Sequence, residues 1–211
     1  MSKRWRGCLL EIVETVLLTV VIFFVVHQFV AEPREISQAS MEHTLEPHQF
    51  VLVDKLSPIF SDYKRGDVIV FQPPAGFQEN GADIPFIKRV IGVAGDLVEI
   101  HDDAVWVNGV KLVEPYVYDG QPTTPTSGQA SWRIGAGQLF VMGDHRQESQ
   151  DSRAFGPIQK STVIGRAWLR YWPLSSLSFV GSASYVGVPN PSPLPSGASA
   201  NLPSPSPSAA K

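Results

Sequence analysis

Cysteine is almost absent from this sequence: Cys8 is the single one among 211 residues. It precedes the apolar opening stretch, so no intrachain disulfide can form, and any exported part must be stable without sulfur staples. The thiol reads as a buried or interfacial side chain, with lipidation as the rival. A basic stripe interleaved with aromatics is also missing. Lysine and arginine number 17 against 20 acidic residues, a net charge of -3, and nucleic acid is not an expected partner. The five histidines, His27, His43, His48, His101 and His145, show no ordinary metal-ligand spacing alongside carboxylates or cysteines and are read as non-ligands. Neither a Ser-His-Asp signature nor an internal repeat is present.

What is there begins with a hydrophobic run. Residues 9–30, 22 in all, would as a helix span about 33 Å, matching a hydrocarbon core of about 30 Å. Glu11 and Glu14 interrupt its early part, but they lie at the end flanked by Lys3, Arg4 and Arg6, where headgroups and water can solvate them. Positive charge at the start predicts a cytoplasmic segment 1–8, a single transmembrane helix over 9–30 and an active domain on the opposite side of the bilayer. A cleavable secretory signal is the rival. Ala31 would suit the residue before the cut, but Phe29 would block the pocket two positions earlier. Pro33 is expected to end the helix.

Hydrophobic residues make up 43% of the chain, enough for the core of one domain. Over 31–180 that domain is expected to be mostly β, because β-branched and aromatic residues cluster in short runs bounded by turn formers. The predicted strands are 50–55, 67–71, 86–93, 97–101, 104–107, 110–112, 138–142 and 162–171. Asn108-Gly109 predicts a tight hairpin, since both residues tolerate positive φ. The Pro/Gly/Thr/Ser-rich piece 119–128 reads as a surface loop. From Gly181 onward Ser, Pro and Ala dominate and Lys211 is the only charged residue, so 181–211 is expected to be a disordered tail.

Two residues and one loop carry chemistry. A serine hydroxyl is a poor nucleophile until a neighbour takes its proton. Ser40 lies just beyond the apolar run; Lys88 sits between Phe86-Ile87 and Val90-Ile91. In a strand, Lys88 would point with Phe86 and Val90, and Arg89 with Ile87 and Ile91. For lysine to act as base near neutral pH its pKa must fall from ~10.4 to about 7, roughly 4.6 kcal/mol in favour of the neutral amine, which full burial can supply. The bland readings stay open: an edge-strand lysine that blunts sheet pairing, and a helix-capping serine. The third element is the loop 143–153, Gly-Asp-His-Arg-Gln-Glu-Ser-Gln-Asp-Ser-Arg. Asp144, Arg146, Asp151 and Arg153 are expected to lock it by charge-assisted pairs, and Ser149 to orient the lysine amine. Its rival is a solvated turn with local salt bridges.

Four stretches in this order, 40–45, 65–71, 88–96 and 143–153, together resemble the type I bacterial signal peptidases, membrane-anchored serine proteases that remove signal peptides from exported preproteins. The resemblance runs from the anchor to about Pro173. It implies that Ser40 is the acylated nucleophile, Lys88 the general base and Ser149 the hydroxyl that positions the lysine, with Asp151, Arg153 and Arg146 as a structural salt-bridge set. It also implies a largely antiparallel β fold, no metal or organic cofactor, and preprotein substrates with small residues at one and three positions before the cut. The expected partners are those preproteins and the lipid bilayer, with the enzyme a monomer. Departures from the family pattern are His43 and Ala94 in place of prolines, His145 in place of asparagine, and Gln38 where a small hydroxyl residue often serves as second oxyanion donor. A glutamine amide can also donate. His43 is a rival base, although at three residues from Ser40 it is expected to fill the proline's place in the turn. A catalytically decayed, membrane-tethered scaffold on the same fold is the alternative from another class. A self-cleaving repressor domain conflicts with the anchor.

Overall fold

The computed structural model describes residues 3–25, 30–77 and 84–191, with side chains of 3–10 and 25 excepted. A helix α1 (Lys3–Val25) leads into β1 (Ala31–Glu35), β2 (Phe50–Asp54), the short helix α2 (Ser57–Phe60), β3 (Val68–Phe71) and β4 (Phe86–Val93). Then come β5 (Leu97–His101), β6 (Ala104–Val107), β7 (Val110–Lys111), β8 (Ser131–Arg133) and β9 (Gln138–Met142). The short helix α3 (Ser152–Phe155), β10 (Ile158–Gln159), β11 (Val163–Trp172) and β12 (Ser178–Phe179) complete the chain.

Eight strands form one sheet in the order β1-β2-β11-β3-β4-β9-β10, with β12 added to β11, and four form a second in the order β7-β6-β5-β8. Pairing between the described strands is antiparallel throughout. The predicted strands 86–93, 97–101, 104–107 and 138–142 match their observed bounds. β4 is the pivot. It is central in the large sheet and buried along seven of its eight residues, and a register shift between Val90 and Gly92 turns Ile91 towards the core of the small sheet. Gly92 lets the sheets meet there, because a Cβ at that position would lie 2.6 Å from Val98 Cγ2. Ile91, Val98, Val105, Trp132 and Phe140 form the resulting core. Asn108 and Gly109 both have positive φ, as the β6–β7 hairpin requires.

Three expectations are corrected. Pro33 does not end a helix; it pairs with Leu52 in the edge strand β1, where a missing N–H leaves no ladder bond unmade. Strands β1, β8, β10 and β12 went unpredicted because they are short or lack alternating hydrophobicity. Residues 181–191 are not a loose tail: Ser182 donates to Asp67, Ala183 N–H to the Gly66 carbonyl, and Tyr185 and Val188 pack against the small-sheet core. The rest of the expected tail, 192–211, lies outside the described residues. Of the expected transmembrane stretch 9–30, residues 26–29 lie outside them as well, and among the described residues no helix is long and apolar enough to cross a membrane.

Candidate active site

Ser40 stands in a single 3-10 turn, Ala39–Met41, directly after the extended residue Gln38. Met41, fully buried among Ile36, Leu45, Val51 and Val53, anchors that turn. Lys88 projects from the middle of β4, paired with Ile69 of β3, and only 1% of it is exposed. Its Nζ donates to Ser40 Oγ at 2.6 Å and to the Ile87 carbonyl at 3.1 Å, and lies 5.1 Å from the centroid of the Phe86 ring. The predicted alternation therefore holds, with Lys88 beside Phe86. Ser40 is equally enclosed, and its hydroxyl meets the amine rather than capping a helix.

The loop 143–153 closes over this pair. Ser149 Oγ donates to Asp151 Oδ2 at 2.8 Å, and Ser149, Gln38, Ser40 and Lys88 line one cleft of ≈ 430 Å³. Gly143 is the contact point: an added Cβ would lie 2.3 Å from Ser149 Oγ and 2.5 Å from the Ser40 carbonyl oxygen. Any side chain there would force the Ser40 turn and the loop apart. His145 N–H donates to the Ser40 carbonyl at 3.1 Å, its ring meets Glu42 Oε2 at 2.7 Å and it stacks on Tyr118.

The charged residues divide differently from expectation. Asp151 and Arg153 pair with each other, fully buried, and Asp151 also accepts from Gly143 N–H. Burial alone would push the Asp151 carboxyl up; the Arg153 guanidinium, the Gly143 amide and the Ser149 hydroxyl outweigh it and hold the pKa below the usual carboxylate range. Asp144 and Arg146 do not pair within the loop. Asp144 takes a bidentate contact from Arg89 at 2.9 and 2.7 Å and accepts from Thr44 Oγ1 at 2.5 Å. Arg146 reaches out to Glu114 at 2.6 Å and to Thr123, while its Nε donates to the Gly143 carbonyl at 3.0 Å. Each residue thus staples the loop to a different part of the body. The partners Thr44, Arg89, Glu114 and Thr123 were missed; only Arg89, adjacent to Lys88 and pointing to the other face, carried a sequence signal.

His43 does not fill a proline's place. Glu42 and His43 form the centre of a turn closed by Thr44 N–H to the Met41 carbonyl, with φ −49 and ψ 150 at Glu42 and φ 80 at His43. That is a type II turn, and its third residue has a φ closed to proline. The His43 ring is exposed. A larger cleft of ≈ 650 Å³ between Tyr63, Arg166 and Ser182 holds neither Ser40 nor Lys88.

The family described as signal peptidase, peptidase S26, matches residues 9–172. Similar proteins include a probable signal peptidase I-1 of Synechocystis sp., 36% identical over 178 residues, covering 83% of this chain and 89% of the relative. A signal peptidase I of Leptolyngbya laminosa is 35% identical over 175 residues, covering 82% and 84%. A signal peptidase IB of Staphylococcus aureus is 34% identical over 185 residues, covering 81% and 93%. A buried serine–lysine contact, a β scaffold around it and a match over most of the length meet in one chain, which belongs to the signal peptidase family, peptidase S26.

Proposed function

We propose that this signal peptidase releases signal peptides from exported preproteins by acyl transfer, with Ser40 as nucleophile and Lys88 as general base. The observation that carries the reading is the 2.6 Å contact between Lys88 Nζ and Ser40 Oγ inside a buried setting. Burial disfavours the ammonium form, and a neutral amine at that distance accepts the hydroxyl proton as Oγ attacks the carbonyl carbon of the last signal-peptide residue. The oxyanion that forms takes hydrogen bonds from the Ser40 backbone N–H and the Gln38 amide. The Lys88 ammonium then passes its proton to the departing amine, freeing the mature protein. Water, deprotonated by the same lysine, cleaves the acyl ester, returns the hydroxyl to Ser40 and frees the signal peptide. Ser149, its own proton engaged by Asp151, offers lone pairs that orient the lysine amine.

Small side chains before the cut fit the pocket beside the cleft. It measures only ≈ 80 Å³; Ile36, Val51, Val70, Ile84, Pro85 and Ile87 form its apolar wall, Arg34 and Glu35 a charged one, and Ser37 and Gln38 are shared with the cleft. The reading includes anchoring through α1, with its start cytoplasmic and the peptidase domain outside as the basic Lys3, Arg4 and Arg6 suggest; lipid contact of the helix is supported by side chains. Ile12, Leu17, Phe23 and Phe24 are more than half exposed. The Thr15 and Thr19 hydroxyls donate back to the Glu11 and Thr15 carbonyls at 2.8 Å, so they need no water. The enzyme acts as a monomer.

Cleavage of an Ala-x-Ala precursor by the detergent-solubilised protein tests the dyad. Ser40→Ala and Lys88→Ala are expected to be inactive with unchanged circular dichroism, and His43→Ala to remain active. Normal turnover by Lys88→Ala, or survival of activity there with loss in His43→Ala, would overturn the assignment.

A further inference from the structure

Beyond the family-matched residues 9–172 the chain passes through β12 and then runs back across the body as a strap over residues 181–191. It is held at several points. Ser182 Oγ donates to Asp67 Oδ1 at 2.5 Å, Ala183 N–H to the Gly66 carbonyl at 3.1 Å, and the Pro189 carbonyl accepts from Arg65 Nη2 at 2.9 Å. The approach at Gly66 is close enough that an added Cβ would sit 1.9 Å from the Ala183 oxygen. Between these fixings, Tyr185 packs on the small-sheet core and its hydroxyl meets that of Tyr116 at 2.5 Å.

Proton accounting gives that contact a direction. Tyr116 OH donates to Glu114 Oε1 at 2.7 Å, so its single proton is used and Tyr185 must be the donor between the two phenols. Burial, together with the Glu114 carboxylate, pushes both phenols well above the ordinary tyrosine range, so both hydroxyls keep their protons at neutral pH. Tyr116 is a junction. The Arg89 guanidinium lies over its ring, 4.1 Å from the centroid, and holds the Asp144 carboxylate. Glu114, fixed by the Tyr116 hydroxyl, holds Arg146, whose Nε binds the Gly143 carbonyl. Arg89 also donates to the Gly66 carbonyl at 2.9 Å, the acceptor that the strap shares through Ala183.

We propose that the strap is a positioning element of the active site: Tyr185 acts through Tyr116 on Arg89 and on Glu114–Arg146, which together fix Gly143–Asp144 against Ser40 and Ser149. None of its residues touches the reacting atoms. The effect is on geometry, and it rests on the Ser40–Lys88 reading, because Gly143 matters through its contact with those serines. A displacement of about 1 Å in such a constellation can lower the rate on the order of 100-fold.

Four altered forms of the detergent-solubilised enzyme, compared with the unaltered one for kcat and KM on one precursor, test this. A chain ending at Pro191 is expected to match the complete protein. A chain ending at Gly181 is expected to lose about 100-fold in kcat with KM unchanged. Tyr185→Phe keeps the ring packing and removes one donor, so it is expected to fold and to lose about five- to tenfold in kcat alone. Lys88→Ala serves as the reference for the dyad. If Tyr185→Phe keeps wild-type kcat, or changes KM only, the strap is a cover and not a positioning element, and this holds even where the chain ending at Gly181 fails to fold. An active Lys88→Ala enzyme would instead remove the reading beneath the proposal, so the two failures are told apart.

Discussion

Lys88 occupies a place where a central strand would ordinarily carry an aliphatic side chain. Its amine lies near the Phe86 ring and within hydrogen-bond reach of the Ser40 hydroxyl and the Ile87 carbonyl. This residue was legible from its apolar neighbours Phe86, Ile87, Val90 and Ile91 taken together with Ser40 and the loop 143–153, since periodicity alone also allowed an edge-strand lysine. Asp151 and Arg153 were legible as members of the loop's salt-bridge set, but not as each other's partners. The partner of Arg146 was not legible, since that carboxylate lies 32 residues away in a stretch without pattern. Gln38 opens onto the cleft with Ser40. Gln38→Ala is expected to lower kcat by on the order of 100-fold with little change in KM, as measured by precursor cleavage, if its amide is the second oxyanion donor. Asp151 bears on acid stability. Its folded pKa is depressed, so its contribution is fully present above the unfolded value of about 3.9 and is lost as pH falls through the folded value. Thermal unfolding followed from pH 6 to 3 should show a falling midpoint below about pH 4, with a flatter profile in Asp151→Asn.

At the level of elements, the long strands were readable and the short connecting pieces were not. β4, β5, β6 and β9 announce themselves by runs of Val, Ile and Phe, whereas β1, with the sequence Ala-Glu-Pro-Arg-Glu, is a strand only because β2 offers it an open edge. Tertiary pairing overrides local preference there. The turn around Ser40 shows the same limit. Nothing in Ser-Met-Glu-His-Thr-Leu reveals that His43 takes φ 80, a conformation that an ordinary residue enters at a cost of roughly 1–2 kcal/mol. His43→Gly removes that strain but loosens the unfolded chain, so stability is expected to rise by no more than about 1 kcal/mol, with precursor cleavage retained. Thermal unfolding and the cleavage assay check both halves of this expectation.

For the whole molecule, the sequence announces a helix followed by a β domain, but not that the chain returns over residues 181–191 to brace it. Ser and Pro there suggest an unfolded tail because composition counts only side chains that can be buried; this segment is held largely by backbone carbonyls, a backbone N–H and one tyrosine. At the other end, α1 is proposed as the anchor. A shortened chain beginning at Ala31 is expected to cleave a peptide substrate yet to be released from vesicles by alkaline extraction, whereas the full chain stays with the lipid. Retention of the shortened form would assign membrane binding to the domain itself.

Three guanidinium–carboxylate pairs, Arg89–Asp144, Arg146–Glu114 and Arg153–Asp151, surround the loop 143–153 with side-chain exposures of 9% or less. Ions in the medium screen charges they can approach and leave enclosed ones nearly untouched. An enzyme braced in this way, without a sulfur bridge, has nothing for a reductant to break and little for brine to weaken. Swings in redox poise or salinity of the surrounding medium would leave its working geometry where it is.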